Sequence, residues 1–261
     1  ELGDDSSGRI SVTYAPHAVY TVAEPILRAV AEDSARTGRV IHIHASETAR
    51  EVEECVGAHG MSPVAYLDSL GVLGPRTVLA HAVHLSDEDI DIIRERKSWI
   101  SHCPCSNFKL ASGQFRYHKA VELGGCRFTL GTDGCASNNN LSMLEEMKFA
   151  ALSAKNESGE PTAGRDGDIL HAATRAGAEA FGIDAGLIGE GKLADALLVD
   201  LAHPLMTPDY HLAANLVYSA DSSVIDTVIC DGRILMENRR IDGEEEILAD
   251  ARRACVRLRN L

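Results

Sequence analysis

The stretch His42-Ile-His-Ala-Ser-Glu-Thr48 brings two imidazoles and a carboxylate close together in the chain. Along an extended strand residues two apart face the same side, so spacing alone makes His42 and His44 a His-x-His metal pair. The step from His44 to Glu47 is more informative, because there the strand has ended and a loop carries the carboxyl group back over its end. A carboxylic acid placed beside a metal-bound water can take its proton and pass it to a leaving group. His17, His81, His102 and Asp133 each follow a short apolar run in the same way. Taken singly, a histidine after such a run is more often a hydrogen-bonded structural residue. Asp133, in Leu130-Gly-Thr-Asp-Gly134, has the form of an ordinary turn aspartate before glycine. Independent structural roles do not place a histidine or carboxylate after every run, however. Neutral imidazoles with a carboxylate are the ligand types of a catalytic zinc or iron site that keeps one position open for water.

The elements that must position these groups follow from periodicity. Apolar, β-branched runs occupy residues 10–14, 39–44, 77–81, 99–102 and 127–130. Amphipathic stretches at 22–37, 47–57 with 62–70, 86–97, 114–124 and 141–154 lie between or after them. Strand and helix alternating at this spacing predict βαβ units and a parallel sheet, whose active-site residues collect at the C-terminal strand ends. A further helix is expected over 168–182, with Gly182 suited to the position just past its end. Beyond it the texture changes. Residues 186–200 read as turns and then a strand, and residues 224–241 as two strands around Asp231-Gly232, a type I′ turn signal. Residues 243–261 carry helical spacing at Ile247, Leu248, Ala251, Val256 and Leu258. The expected division is therefore an α/β part over 1–185, β-layer strands over 186–242 and a terminal helix over 243–261.

Composition bounds the remaining possibilities. Of 261 residues, 45% are hydrophobic and 25% charged, values of a globular chain that exclude a disordered, collagenous or coiled-coil one. A formal net charge of −14 disfavours nucleic acid and anionic membrane surfaces as partners. No apolar run approaches the roughly 18 residues of a spanning helix. Seven cysteines, an odd number with no CxxC pair, read as reduced thiols. With no targeting segment at Glu1, the expected location is cytoplasmic.

Several separated segments, in order, resemble the amidohydrolase superfamily. They are His42-Ile-His-Ala-Ser-Glu-Thr48, Leu79-Ala-His-Ala-Val-His-Leu85, Ser101-His-Cys-Pro-Cys-Ser-Asn-Phe-Lys-Leu110 and Leu130-Gly-Thr-Asp-Gly-Cys-Ala-Ser-Asn-Asn139. Within the superfamily they are most similar to the branch that deaminates S-adenosylhomocysteine, methylthioadenosine and 5′-deoxyadenosine. Ala15-Pro-His-Ala-Val-Tyr-Thr21 resembles that branch's substrate-contacting histidine segment. Gly191-Lys-Leu-Ala-Asp-Ala-Leu-Leu-Val-Asp200 and Asp226-Thr-Val-Ile-Cys-Asp-Gly-Arg-Ile-Leu235 resemble its accompanying β-sandwich. The resemblance implies an α/β fold, namely strands 4–8 of a (β/α)₈ TIM-like barrel with strands of a small β-sandwich. His44 matches a metal ligand, and Asp133 both a metal ligand and the general base. Glu47 matches the proton shuttle that also meets the purine base. His81 matches a group that hydrogen-bonds the hydrolytic water or the developing oxyanion, and His17 matches a contact to the nucleoside. Glu47 and Asp133 are thus also implied to touch substrate, while His42 is expected to be a buried structural residue and His84 to be non-catalytic. The cofactor implied is one divalent metal ion, zinc before iron or manganese. The chemistry implied is hydrolytic deamination of an adenine nucleoside.

The family pattern also requires a His-x-His pair on the first barrel strand. Among eleven histidines only His42 and His44 have that spacing, and their Ala-Ser-Glu-Thr continuation commits them to strand five. The expectation is that the N-terminal barrel strands lie outside this chain. An N-terminal segment of the same protein then completes the barrel, within a homo-oligomer, and the chain alone is inactive and poorly soluble. The alternatives on the same site are a guanine or cytosine deaminase, a triazine or chloro-ring hydrolase, and a non-catalytic relative that has lost its metal.

Overall fold

The computed structural model describes residues 8–259. The chain divides into two compact units, one ending at Ile183 and the other beginning at Asp184. At the centre of the first lie four strands, β1 (Ile41–Ala45), β2 (Thr77–His81), β3 (Trp99–His102) and β4 (Arg127–Leu130). They form one parallel sheet in the order β1-β2-β3-β4. The crossovers are α1 (Glu24–Thr37) before β1, α2 (Ala49–His59) and α3 (Pro63–Ser69) between β1 and β2, and α4 (Asp87–Arg96) between β2 and β3. A six-residue α5 (Pro104–Lys109) and a π-helical turn at His118–Leu123 separate β3 from β4. After β4 come α6 (Cys135–Asn138), α7 (Met143–Ser158), α8 (Asp166–Ala172) and α9 (Arg175–Phe181).

Local chemistry accounts for where these helices begin and end. The side chains of Thr48, Ser62 and Ser142 accept from the amides of Glu51, Ala65 and Glu145 at the starts of α2, α3 and α7. Ser86 and Asp89 close a capping box at the start of α4. Gly38 and Gly182 take up left-handed conformations just past α1 and α9, where a side chain would be strained.

Three expectations need correction. The run at 10–14 is not a full strand, since only Tyr14 bridges to Ile41. Pro16 has no N–H to continue a ladder, although the backbone meets β1 again where His17 O accepts from the His44 amide at 3.1 Å. The single helix expected over 168–182 is two, broken at Thr174, whose φ/ψ of −129/−89 is non-helical. Its hydroxyl bonds back to Leu170 O at 2.7 Å and competes with the helical ladder. The amphipathic stretch at 114–124 winds as the π-helical turn rather than as α-helix.

Burial along β1 alternates, with Ile41, Ile43 and Ala45 inside and His42 and His44 half-buried on the other face. Leu79 on β2 and Ile100 on β3 continue the apolar layer, and Leu27, Leu67, Ile93 and Ile169 of the helices are also fully buried. One face of the sheet is thereby locked to helices, and the opposite face of β1 is left for polar side chains.

The second unit holds β5 (Ala196–Val199), α10 (Leu212–Tyr218), β6 (Ile225–Cys230), β7 (Arg233–Met236) and α11 (Glu244–Arg259). Its strands form an antiparallel sheet in the order β5-β6-β7. The β6–β7 link is the two-residue turn expected from Asp231-Gly232, both with positive φ, 51° and 71°. All seven cysteines are free thiols. Among the described residues no helix is long and apolar enough to cross a membrane.

Candidate active site

His44, Glu47, His81 and Asp133 stand at or just beyond strand ends, His17 follows the bridge at Tyr14, and each has its own support. His44, next to last in β1, directs Nδ1 at the backbone carbonyl of His17 at 2.8 Å. A carbonyl only accepts, so Nδ1 carries the proton and Nε2 keeps its lone pair, the tautomer a metal ligand needs. The ring stacks on His81 with centroids 5.3 Å apart and lies 4.9 Å from the exposed His17 ring. His17 is steadied in turn by a 2.8 Å hydrogen bond between its Nδ1 and Thr21 Oγ1.

Glu47 is aimed by a strained turn. Ser46 has φ of 53°, in the left-handed region, and is completely buried. The conformation is held by Glu51, whose carboxylate accepts from the amides of Ser46 at 3.0 Å and Glu47 at 2.8 Å. The Glu47 carboxyl, with 19% of its side chain exposed, accepts from Ser112 Oγ at 3.0 Å. Its other oxygen lies 3.7 Å from His81 Nε2. His81 ends β2, is buried, and shares its Nδ1 with Asn107 Oδ1 at 2.8 Å.

Asp133 follows β4 in a left-handed conformation, φ 58°. Burial works against its charge. That cost is outweighed by hydrogen bonds from Ser106 Oγ at 2.6 Å and its neighbour's amide at 2.6 Å, helped by Ser137, so the carboxyl is held below the usual carboxylate range. Behind it sits Glu146 of α7, fully buried. It accepts from the Cys105 amide at 3.2 Å and from Asn138 Nδ2 at 2.5 Å. The same Asn138 nitrogen donates to Thr132 O at 2.7 Å, next to Asp133. Burial raises the Glu146 carboxyl above its ordinary value, though the Cys105 and Asn138 bonds oppose this.

His17, His44, His81 and Asp133 line one cavity of about 270 Å³, together with His42, Ser101, Cys103 and Gly131. His42, expected to be buried, is half-buried, because the face it shares with His44 opens on this space. It packs edge-to-face on Phe181 at 5.8 Å, and burial first, then His44 and His81, lower its pKa. His84 instead bonds the Ser112 carbonyl at 2.6 Å. His44 Nε2 and the Asp133 carboxylate are donors of the right chemistry for a divalent ion. Among the described residues no three His, Cys, Asp or Glu side chains stand close enough together to hold one on their own.

This arrangement of strand-end imidazoles and carboxylates can be set against known proteins. The sequence profile of the amidohydrolase family matches residues 1–235. The chain belongs to the amidohydrolase family. Over 249 residues it is 48% identical to a protein named 5′-deoxyadenosine deaminase from Methanothermobacter thermautotrophicus, covering 95% of this chain and 56% of that one. It is 43% identical over 263 residues to a 5-methylthioadenosine/S-adenosylhomocysteine deaminase from Pelotomaculum thermopropionicum, covering all of this chain and 60% of that one. Among solved structures, a zinc-bound adenosine deaminase from Xanthomonas campestris superposes with a TM-score of 0.93 at 35% identity, over 97% of this chain and 58% of that one. A zinc complex of an atrazine chlorohydrolase from Arthrobacter aurescens superposes with a TM-score of 0.85 at 26% identity, over 93% and 54%. This amidohydrolase chain therefore spans a little over half the length of the relatives it matches.

Supporting residues of the candidate site that the sequence does not single out are Glu51, Ser106, Asn107, Ser112 and Glu146. Pro104, a favoured first-turn residue, marks the start of α5 directly after β3 and places Ser106 and Asn107 beside the strand ends. Glu51, three residues after the cap Thr48, fits the Thr-x-x-Glu signature of a helix start, whereas Ser112 and Glu146 carry no such mark.

Proposed function

We propose that this chain carries the proton-handling half of a metal-dependent deaminase acting on adenine nucleosides such as 5′-deoxyadenosine, methylthioadenosine or S-adenosylhomocysteine. One observation carries the reading: Glu47, His81 and Asp133 stand at the ends of β1, β2 and β4 of one parallel sheet, each with its own hydrogen-bonded support. His44 and Asp133 would hold a divalent ion, zinc by analogy with the zinc-bound neighbours, and a further segment of the same protein would supply the remaining ligands. Such an ion acidifies water and polarises the adduct. Asp133, kept ionised by Ser106 and the Gly134 amide, accepts the proton of the attacking water as its oxygen bonds to C6 of the purine. Glu47 protonates the ring nitrogen, which lets the ring accept the electron pair. The adduct then collapses with a proton delivered to the amino group. Ammonia leaves, and the net change is water in and ammonia out, giving the hypoxanthine nucleoside.

The test is ammonia release by the intact, metal-loaded protein from the three adenine nucleosides, with guanine, cytosine and a chlorotriazine as comparators. Turnover confined to the comparators would overturn the reading.

His17 separates binding from chemistry. Its ring is exposed at the cavity, but it supports His44 through its backbone. His17→Ala is expected to raise KM roughly threefold to tenfold, the worth of one hydrogen bond, with kcat and metal content unchanged. Steady-state kinetics with metal analysis check this, and loss of metal would show that the side chain does more than touch substrate.

A further inference from the structure

His81, Asn107 and His102 form a buried file at the ends of β2 and β3 and the first turn of α5, exposed by only 2%, 0% and 2%. The Asn107 amide joins the two rings, its oxygen 2.8 Å from His81 Nδ1 and its nitrogen 3.3 Å from His102 Nδ1. An amide has one accepting and one donating end, so the two imidazoles it joins cannot have the same state at Nδ1. One carries a proton there and the other carries a lone pair.

Which is which follows from the orientation of the amide, its oxygen toward His81 and its NH₂ toward His102. His102 packs between Phe115 and Phe128, with ring centroids at 4.9 and 6.1 Å. Burial there drives its pKa down to about 3, so the ring is neutral and free to accept at Nδ1 from the Asn107 NH₂. The amide oxygen then faces His81, and only an Nδ1–H satisfies it.

We propose that Asn107 is a positioning residue that holds His81 in the Nδ1–H tautomer, so that Nε2 presents a lone pair to the reacting face. The nearest Glu47 oxygen, 3.7 Å away, is beyond direct hydrogen-bond length, and Nε2 is not committed to it. The consequence for mechanism rests on the deaminase reading above. Of the two roles open to His81, bonding the attacking water or bonding the developing oxyanion, a lone pair at Nε2 serves the first. It accepts an O–H of the water and aims the oxygen, whereas stabilising an oxyanion requires a donor.

The test reads the ring directly. In two-bond ¹H–¹⁵N spectra of the intact protein labelled with ¹⁵N-histidine, at mildly alkaline pH, His81 is identified by the peaks lost in His81→Gln. The expected pattern is a pyrrole-like Nδ1 and a pyridine-like Nε2. A pyridine-like Nδ1, or two pyrrole-like nitrogens, would overturn the proposal. In Asn107→Leu the bias toward Nδ1–H is expected to be lost and kcat to fall on the order of 10- to 100-fold, with KM changed far less. Retention of the Nδ1–H pattern in that variant would also overturn it, and if the variant does not fold the unsubstituted protein's spectrum decides alone. The expected tautomer in a protein that deaminates no adenine nucleoside would support Asn107's role while refuting the deaminase reading, so the two fail separately.

Discussion

Glu47→Gln is expected to lower kcat by about 10³-fold while leaving metal content and thermal midpoint where they were. Glutamine matches glutamate in shape and keeps an oxygen to accept from Ser112 Oγ, the bond made at 3.0 Å. The turn that aims the side chain depends on Glu51 and the backbone of Ser46 and Glu47, none of which the substitution touches. What glutamine lacks is an acidic proton to give up and take back. Binding and positioning therefore survive, and only proton transfer to the ring is lost. Single-turnover kinetics beside metal analysis and a melting curve read the three quantities separately. Turnover within tenfold of the starting protein would remove Glu47 from the proton path.

The second large effect is expected far from substrate. Glu146→Ala strips the acceptor from two donors, the Cys105 amide and the Asn138 side chain, at a completely buried position. Unsatisfied buried donors of this kind cost about 3 kcal/mol together, a fall of roughly 10 °C in thermal midpoint. Stability is only part of the expectation. Asn138 ties Glu146 to Thr132 O, and Asp133 follows in a left-handed conformation that needs such restraint. Metal affinity is therefore expected to drop about 10- to 100-fold, as for other supports of a ligand loop. Glu146→Gln keeps one oxygen but turns an NH₂ toward the second donor, so it should fall between. Calorimetry and metal titration check both, and an alanine variant within 1 kcal/mol of the parent would mean that the two loops hold themselves.

Much of this was legible in the sequence where one short stretch contains the whole cause. The alternation of β1 is written in Ile-His-Ile-His-Ala, and it alone puts His42 and His44 on one face. The positive-φ pair at Asp231 and Gly232 is written in the residues themselves. The supports were not legible, because each joins residues distant in the chain: Asn107 meets His81 across 26 positions and Ser112 meets Glu47 across 65. The turn at Ser46 was hidden for another reason. Left-handed backbone is announced by glycine or asparagine, and here a serine adopts it because Glu51 holds two amides in place. Pro16 stops the pairing from continuing past Tyr14, an effect that depends on where the neighbouring strand lies.

The carbonyl that orients His44 belongs to the backbone of His17. Every amino acid carries that group, so this hydrogen bond does not depend on which side chain stands at position 17. The side chain at position 17 can therefore be exchanged while the bond that orients His44 is kept. On the proposed reading, substrate preference can change at position 17 by single steps, because the bond that orients His44 is made by the main chain.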